Sequence, residues 1–277
     1  MKVFITGANG MLARAILKKK PAEWKVLGTD IDVLDISSPR AVERALGAFQ
    51  PDLVINCAAF TRVDDCEARR EEAFKVNAEG AGYLAEVCGE HGTFLVHFST
   101  DYIFDGRKSS PYQEDDRPAP INVYGESKLE GERRVRKSAE NHLIIRTQWL
   151  YGDGGSHFVR TILNLAGERD LLKVVNDQTG SPTWTEDLAD GAIGLIGKRK
   201  AGTYHLVNSG SCTWFDFASE IIKSAGLDTK ILPCTSAEYP RPAKRPAYAV
   251  LSTEKAARIL GGPLPDWQAA LKIYMKS

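Results

Sequence analysis

Tyr124 and Lys128 stand four residues apart in NVYGESKLE (residues 122–130), a spacing that puts both side chains on one face of a helix. A phenol with an ordinary pKa of about 10 is a poor proton relay at neutral pH. An ammonium group a few ångström away favours phenolate and lowers that value, which suits proton exchange with a carbonyl or alcohol oxygen. The spacing alone is common on solvated helices. Its position changes its meaning, because Ser99-Thr100-Asp101-Tyr102 ends an apolar run upstream. Carboxyl ends of such runs are where α/β sheets keep ligands, and the Thr100 hydroxyl is placed to hold a reacting oxygen.

A second constellation follows the first apolar run: Gly7-Ala8-Asn9-Gly10-Met11-Leu12-Ala13. Glycines permit a tight strand-to-helix turn, and the next helix aims its free N–H groups at a pyrophosphate. Here the pattern is G-x-x-G-x-x-A, with Gly7, Asn9, Gly10, Met11 and Leu12 as candidate cofactor contacts. Asp30 ends the second run, where an acid binds the adenosine ribose hydroxyls and repels a 2′-phosphate. Arg14 and Lys18–Lys20 pull the other way, so NADH and NADPH both stay open as the cofactor. Asp35 and Ile36 are placed to flank the adenine. The small residues Cys57, Ala58 and Ala59 let a dinucleotide pass close to the sheet edge.

The elements that must position these groups are legible as a rhythm. Apolar runs at Lys2–Thr6, Trp24–Asp30, Asp52–Asn56, Thr93–Ser99 and His142–Thr147 alternate with helix-like stretches at Met11–Lys19, Pro39–Phe49, Glu67–His91 and Val123–Ser138. Near-continuous apolar strands separated by helices predict a Rossmann-type, doubly wound parallel sheet in an α/β fold. After the joint Gly152-Asp153-Gly154-Gly155 the pattern predicts helices at Phe158–Ala166, Glu186–Ile196 and Trp214–Ala225, with strands at Leu172–Val175 and Thr203–Val207. Three prolines within Tyr239–Pro246 exclude a helix there. The expected division is a dinucleotide-binding domain over residues 1–150 and a smaller mixed α/β substrate-binding lobe over 151–277, the lobe acting as a cap.

Thirty-six basic and 36 acidic residues cancel, so no field for nucleic acid or an anionic membrane is visible. Five scattered cysteines without a CxxC pair suit reduced thiols and offer no metal site. The chain is strand-like by Val3, leaving no room for a leader, and no apolar run nears the roughly 20 residues a span needs. The expectation is a cytoplasmic protein.

GANGMLA, NCAAF, FSTDYIFDG and YGESK together resemble the extended short-chain dehydrogenases/reductases. Within them the strings STDYIFDG, NVYGESKLEGE, RTQWLYG, NDQTGSPT, YHLVNSG, RPAKRPAYAVLSTEK and LPDWQ resemble the dTDP-4-dehydrorhamnose reductases over nearly the whole chain. The resemblance implies NAD(P)H-dependent reduction at C4 of a 4-keto-6-deoxy sugar nucleotide. Tyr124 would be the general acid, Lys128 would tune it and contact the nicotinamide ribose, and Thr100 and Asp101 would orient the ketone. It also points to Trp149 beside the sugar, His157 and Phe158 near the nucleotide, and Arg245 on the diphosphate. Some relatives of this type dimerise on magnesium held by three glutamates. The corresponding positions here are Ala15, Glu186 and Gln268, and one carboxylate is a poor magnesium cage. The implied state is a monomer, or a dimer not built on magnesium. Two other readings share the fold: a nucleotide-sugar epimerase or dehydratase, and a non-catalytic NAD(P)-binding regulatory subunit resembling the methionine adenosyltransferase β subunit.

Overall fold

The apolar runs of the first half become strands of one sheet. The computed structural model describes residues 1–276. In chain order the first half is β1 (Lys2–Thr6), α1 (Met11–Lys19), β2 (Lys25–Thr29), α2 (Pro39–Phe49), β3 (Leu53–Asn56), α3 (Val63–Ala68), α4 (Arg70–Phe74), α5 (Ala81–His91), β4 (Phe94–Thr100), α6 (Val123–Ser138) and β5 (His142–Thr147). β1, β3, β4 and β5 are buried almost throughout, whereas β2 forms one edge and exposes Leu27.

The second half adds β6 (Leu150–Tyr151), α7 (Phe158–Ala166), β7 (Leu171–Val175), β8 (Thr179–Gly180), β9 (Thr183–Trp184), α8 (Thr185–Gly197) and β10 (Gly202–His205). Then come β11 (Asn208–Ser209), β12 (Cys212–Thr213), α9 (Trp214–Ala225), β13 (Lys230–Cys234), α10 (Glu254–Leu260), β14 (Leu264–Asp266) and α11 (Trp267–Tyr274). β10 returns to the main sheet beside β5, giving six parallel strands in the order β10-β5-β4-β3-β1-β2. Strand order reverses between β1 and β3, and ligands of open parallel sheets bind at that switch point.

Two cores cover the sheet. On one face α1 and α8 bury Leu12, Ile16, Leu188 and Leu195 against Ile5, Ile55 and Ile145. On the other, Val42 and Leu46 of α2 and Leu84 and Val87 of α5 meet Phe4, Val54 and Ile144. Each such side chain contributes about 1.5–3 kcal/mol by leaving water. A third core, built on Tyr151, Phe217, Trp184 and Trp267, belongs to the second half. Helix α9 starts in a Thr213–Asp216 capping box, which sets its entry next to Trp214.

One expected helix is broken. Glu67–His91 divides at Arg69 and passes through a π-helical turn, Lys75–Gly80, before α5. The extra residue of that turn aims buried Asn77 out of the helix row. Its amide bonds the Phe60 backbone twice and Ser127 Oγ on α6 once. Polar bonding thus overrides helical periodicity there. Within residues 239–246 no helix forms.

Candidate active site

The glycine turn sits at the switch point. Gly7 has φ +64°, and a Cβ there would lie 2.7 Å from the Ala58 backbone nitrogen, so only glycine allows this approach of β1 and β3. Gly10 caps α1 with no side chain accepting its first amides, and the first turn carries no acid. Those N–H groups suit an anion. Asp30 follows β2 directly, and its carboxylate accepts from the Asn9 amide (2.9 Å) and from Ile31 N (2.8 Å). Met11 lies against Gly155, which joins this turn to the expected interlobe joint. Asp35 accepts from the Ser37 hydroxyl and amide, and that hydroxyl bond holds its carboxyl below the usual range. Ile36 is buried beside Gly80 in the α2–α5 core. Cys57, Ala58 and Ala59 follow β3, and burial pushes the Cys57 thiol up to about 12. A close-approach glycine beside uncapped helix amides fits a dinucleotide pyrophosphate.

The candidate catalytic side chains gather one strand further on. Thr100 ends β4, and its Oγ donates to Asp101 Oδ1 (2.9 Å) while accepting from Tyr102 N (3.2 Å). Asp101 opens a short turn to Ile103 and is 2% exposed. Burial raises its carboxyl to about 7, against the Thr100 hydroxyl and backbone amides that favour the charge. Tyr124 lies in the first turn of α6. Asn122 caps that turn through Gly125 N (2.8 Å), and Glu67 accepts from Val123 N (2.9 Å). Gly125 packs on the Tyr102 carbonyl with no room for a Cβ, which brings α6 against the Asp101–Ile103 turn. The Tyr102 ring meets Tyr124 edge-on at 5.6 Å between centroids.

Lys128 lies one turn further along α6. Its ammonium is buried and donates to the Phe98 carbonyl (2.6 Å), with His97 Nε2 at 3.5 Å. The groups acting on the Tyr124 phenol are its burial, then Asp101, Thr100, Tyr102 and Cys66, and the result raises rather than lowers its pKa. Lys128 is not among the largest influences on that phenol. One of the three Lys128 N–H groups is committed to the Phe98 carbonyl on β4. Tyr124 therefore carries the proton that a ketone reduction consumes, but burial makes it slower to part with it.

The second half supplies a wall of aromatics. Trp149 adopts φ +47° and stacks on Trp214, ring centroids 3.6 Å apart. Phe158 leans on Trp214 at 4.5 Å. His157 caps α7 through Arg160 N (3.4 Å) and pairs its other nitrogen with the Tyr274 hydroxyl (3.2 Å), so both ring nitrogens are used. Arg245 bonds Asp64 and the Ala243 carbonyl beside Tyr102. Asn122 Nδ2 fastens that proline-rich segment to α6 through the Lys244 carbonyl (2.8 Å). Glu186 forms ion pairs with Lys18 and Lys19 of α1, and Lys19 also pairs with Asp190.

Several residues escaped sequence reasoning. Trp214 carried a signal in its capping box, but nothing linear ties it to Trp149. Glu132 and Arg146 form a buried two-pronged pair (2.9 and 2.8 Å), with Arg136 adding a third bond to Glu132. Burial alone would raise Glu132, yet the arginines hold it at about 2. Asn56 and His97 are lateral neighbours only through the β3–β4 register.

A parallel sheet carrying a phosphate turn at its switch point and a Thr-Asp-Tyr-Lys cluster beside it defines a dinucleotide-dependent α/β protein. The family is specific: residues 1–277 match the model of the RmlD substrate binding domain, and the chain belongs to that family. It is 43% identical to the spore coat polysaccharide biosynthesis protein SpsK of Bacillus subtilis, across 99% of this chain and 97% of that one. With dTDP-4-dehydrorhamnose reductase of Escherichia coli it shares 41% identity over 98% of this chain and 96% of the relative. The crystal structure of a dTDP-4-dehydrorhamnose reductase from Clostridium acetobutylicum superposes with a TM-score of 0.97 at 44% identity, covering 100% of this chain and 99% of that one. The Bacillus anthracis enzyme in complex with NADP gives 0.96 at 38% identity, with 99% and 98% covered. A Thermus thermophilus UDP-glucose 4-epimerase, 20% identical with a TM-score of 0.85, shares the fold.

Proposed function

We propose that this chain is an NAD(P)H-dependent reductase that converts the C4 ketone of dTDP-4-keto-6-deoxy-L-mannose to the alcohol of dTDP-L-rhamnose. The observation that carries the reading is the buried Thr100–Asp101–Tyr124 cluster beside the glycine turn, in a chain similar end to end to named reductases. Gly7, Asn9, Gly10, Met11, Leu12, Asp30, Asp35, Ile36, Cys57, Ala58, Ala59 and Lys128 would hold the dinucleotide. Bound there, it supplies the hydride that adds to C4. Tyr124 Oη gives its proton to the oxygen that becomes O4, so the ketone gains one hydride and one proton. Asp101, which burial pushes up to about 7, donates in its protonated form to Thr100 Oγ, which frees the Thr100 hydrogen to hold that oxygen in line and resupplies the proton. Lys128 orients the ribose from behind. Trp149 and Phe158 offer flat apolar faces to the sugar and base, His157 orders the loop beneath them, and Arg245 pairs with the diphosphate.

The test mixes purified protein with NADPH or NADH and the 4-keto sugar nucleotide and follows the nicotinamide absorbance. Oxidation with either cofactor supports the reading, and none with both removes it. Protein that arrives with NAD(H) firmly bound and turns over with none added points instead to an epimerase or dehydratase.

A further inference from the structure

Behind the reacting groups a row of buried polar side chains crosses the sheet at one level. The parallel register sets Thr6, Asn56 and His97 side by side on β1, β3 and β4, and Lys128 reaches the row from α6. All four are at most 3% exposed. Thr6 Oγ1 donates to Asn56 Oδ1 (2.7 Å), as does the Ala58 amide (3.1 Å). A backbone N–H can only donate, so Oδ1 is the acceptor and Asn56 turns its Nδ2 toward His97 Nδ1, 3.1 Å away. His97 Nδ1 must then be bare. The ring is neutral, carries its proton on Nε2, and points that N–H at the Lys128 nitrogen. An imidazolium would oppose two donors at Asn56. An ammonium at Lys128 opposes two donors at His97, whereas a neutral amine there accepts.

We infer that Asn56 and His97 are positioning residues for the reduction: Asn56 fixes the His97 tautomer, and the Nε2–H so aimed holds down the proton affinity of Lys128. This rests on the reading of Lys128 as part of the reductase site. The groups facing Lys128 are the Phe98 carbonyl and His97 from β4, the Cys57 thiol after β3, and Glu132 on its own helix. Burial lowers the lysine to about 8, with Glu132 and Cys57 pulling the other way, and burial beside Lys128 keeps His97 well below its ordinary range. Lys128 therefore changes charge around pH 8, and His97 stays neutral there.

Nitrogen NMR of the histidine rings, with His97 assigned by its loss in His97→Gln, reads the tautomer without any turnover. The expected state at neutral pH is Nε2–H; a proton on Nδ1, or an imidazolium, overturns the inference. Asn56→Asp keeps the acceptor for Thr6 and Ala58 but accepts from Nδ1–H, so the tautomer reverses and Nε2 accepts from the ammonium. The alkaline limb of kcat should then move up by on the order of one pH unit, with KM little changed. In a His97→Gln background the same substitution should lose most of that shift. An equal shift with and without the imidazole means the added charge acts alone and sinks the relay. If no variant or wild type reduces the ketone, the reductase reading fails, while carbon NMR of Lys128 titration in the same proteins still decides the relay.

Discussion

Replacing Asp101 with asparagine should stabilise the protein above neutral pH while impairing it as an enzyme. The carboxyl is buried and its pKa lies at about 7, against an ordinary 3.8. That gap corresponds to about 4 kcal/mol of strain on the ionised form. The sign follows from proton binding. Between the two values the folded state holds a proton that the unfolded state has released, so stability from this group is full below 3.8 and lost as pH rises through about 7. Asparagine carries no such charge, and its Oδ1 can keep the Thr100 bond. Its extra N–H group needs an acceptor, which costs about 1–3 kcal/mol independent of pH. The signature is therefore a difference of slopes. Between about pH 5 and about pH 8, wild type should lose about 3 kcal/mol relative to Asp101→Asn in urea titrations at each pH. Activity should fall about 10²-fold at neutral pH, the size of a lost proton-transfer aid. Parallel stability curves across that range would refute the account of Asp101, and so would an undiminished kcat.

Three other outcomes follow from the same geometry. Breaking the Glu132–Arg146 pair with Glu132→Gln leaves a buried guanidinium uncompensated and should cost about 3–5 kcal/mol in chemical denaturation. Since Lys128 sits at about 8, loss of its ammonium should bend kcat downward as pH rises through that value, and a flat profile to about pH 10 would contradict this. Trp214→Ala removes the plate on which Trp149 stacks, so KM for the sugar nucleotide should rise about tenfold with far less change in kcat.

The sheet was legible because burial on both faces leaves a plain mark: β1 and β5 lie where their apolar runs do, and α1, α2, α6, α7 and α9 match their amphipathic stretches. The Glu67–His91 stretch misled because helix periodicity says nothing of a buried asparagine that must leave the row. β10 was expected to run on to Val207; it ends at His205, and its place beside β5 depends on pairing across a long sequence gap. At the candidate site, Tyr124 and Thr100 stand out in the sequence by spacing and by strand end. What Lys128 touches is decided by register between β3, β4 and α6, which no local pattern carries. The Trp149–Trp214 stack is similarly a product of tertiary folding.

The central claim is that Tyr124 delivers a proton to a sugar ketone. Its most direct test is single-turnover reduction of dTDP-4-keto-6-deoxy-L-mannose by Tyr124→Phe with saturating NADPH, beside wild type. The phenylalanine keeps the ring against Tyr102, so the fold should stand. The predicted result is a reduction rate lower by about 10²–10⁴-fold with cofactor binding intact. A variant that reduces the ketone at the wild-type rate would contradict the account.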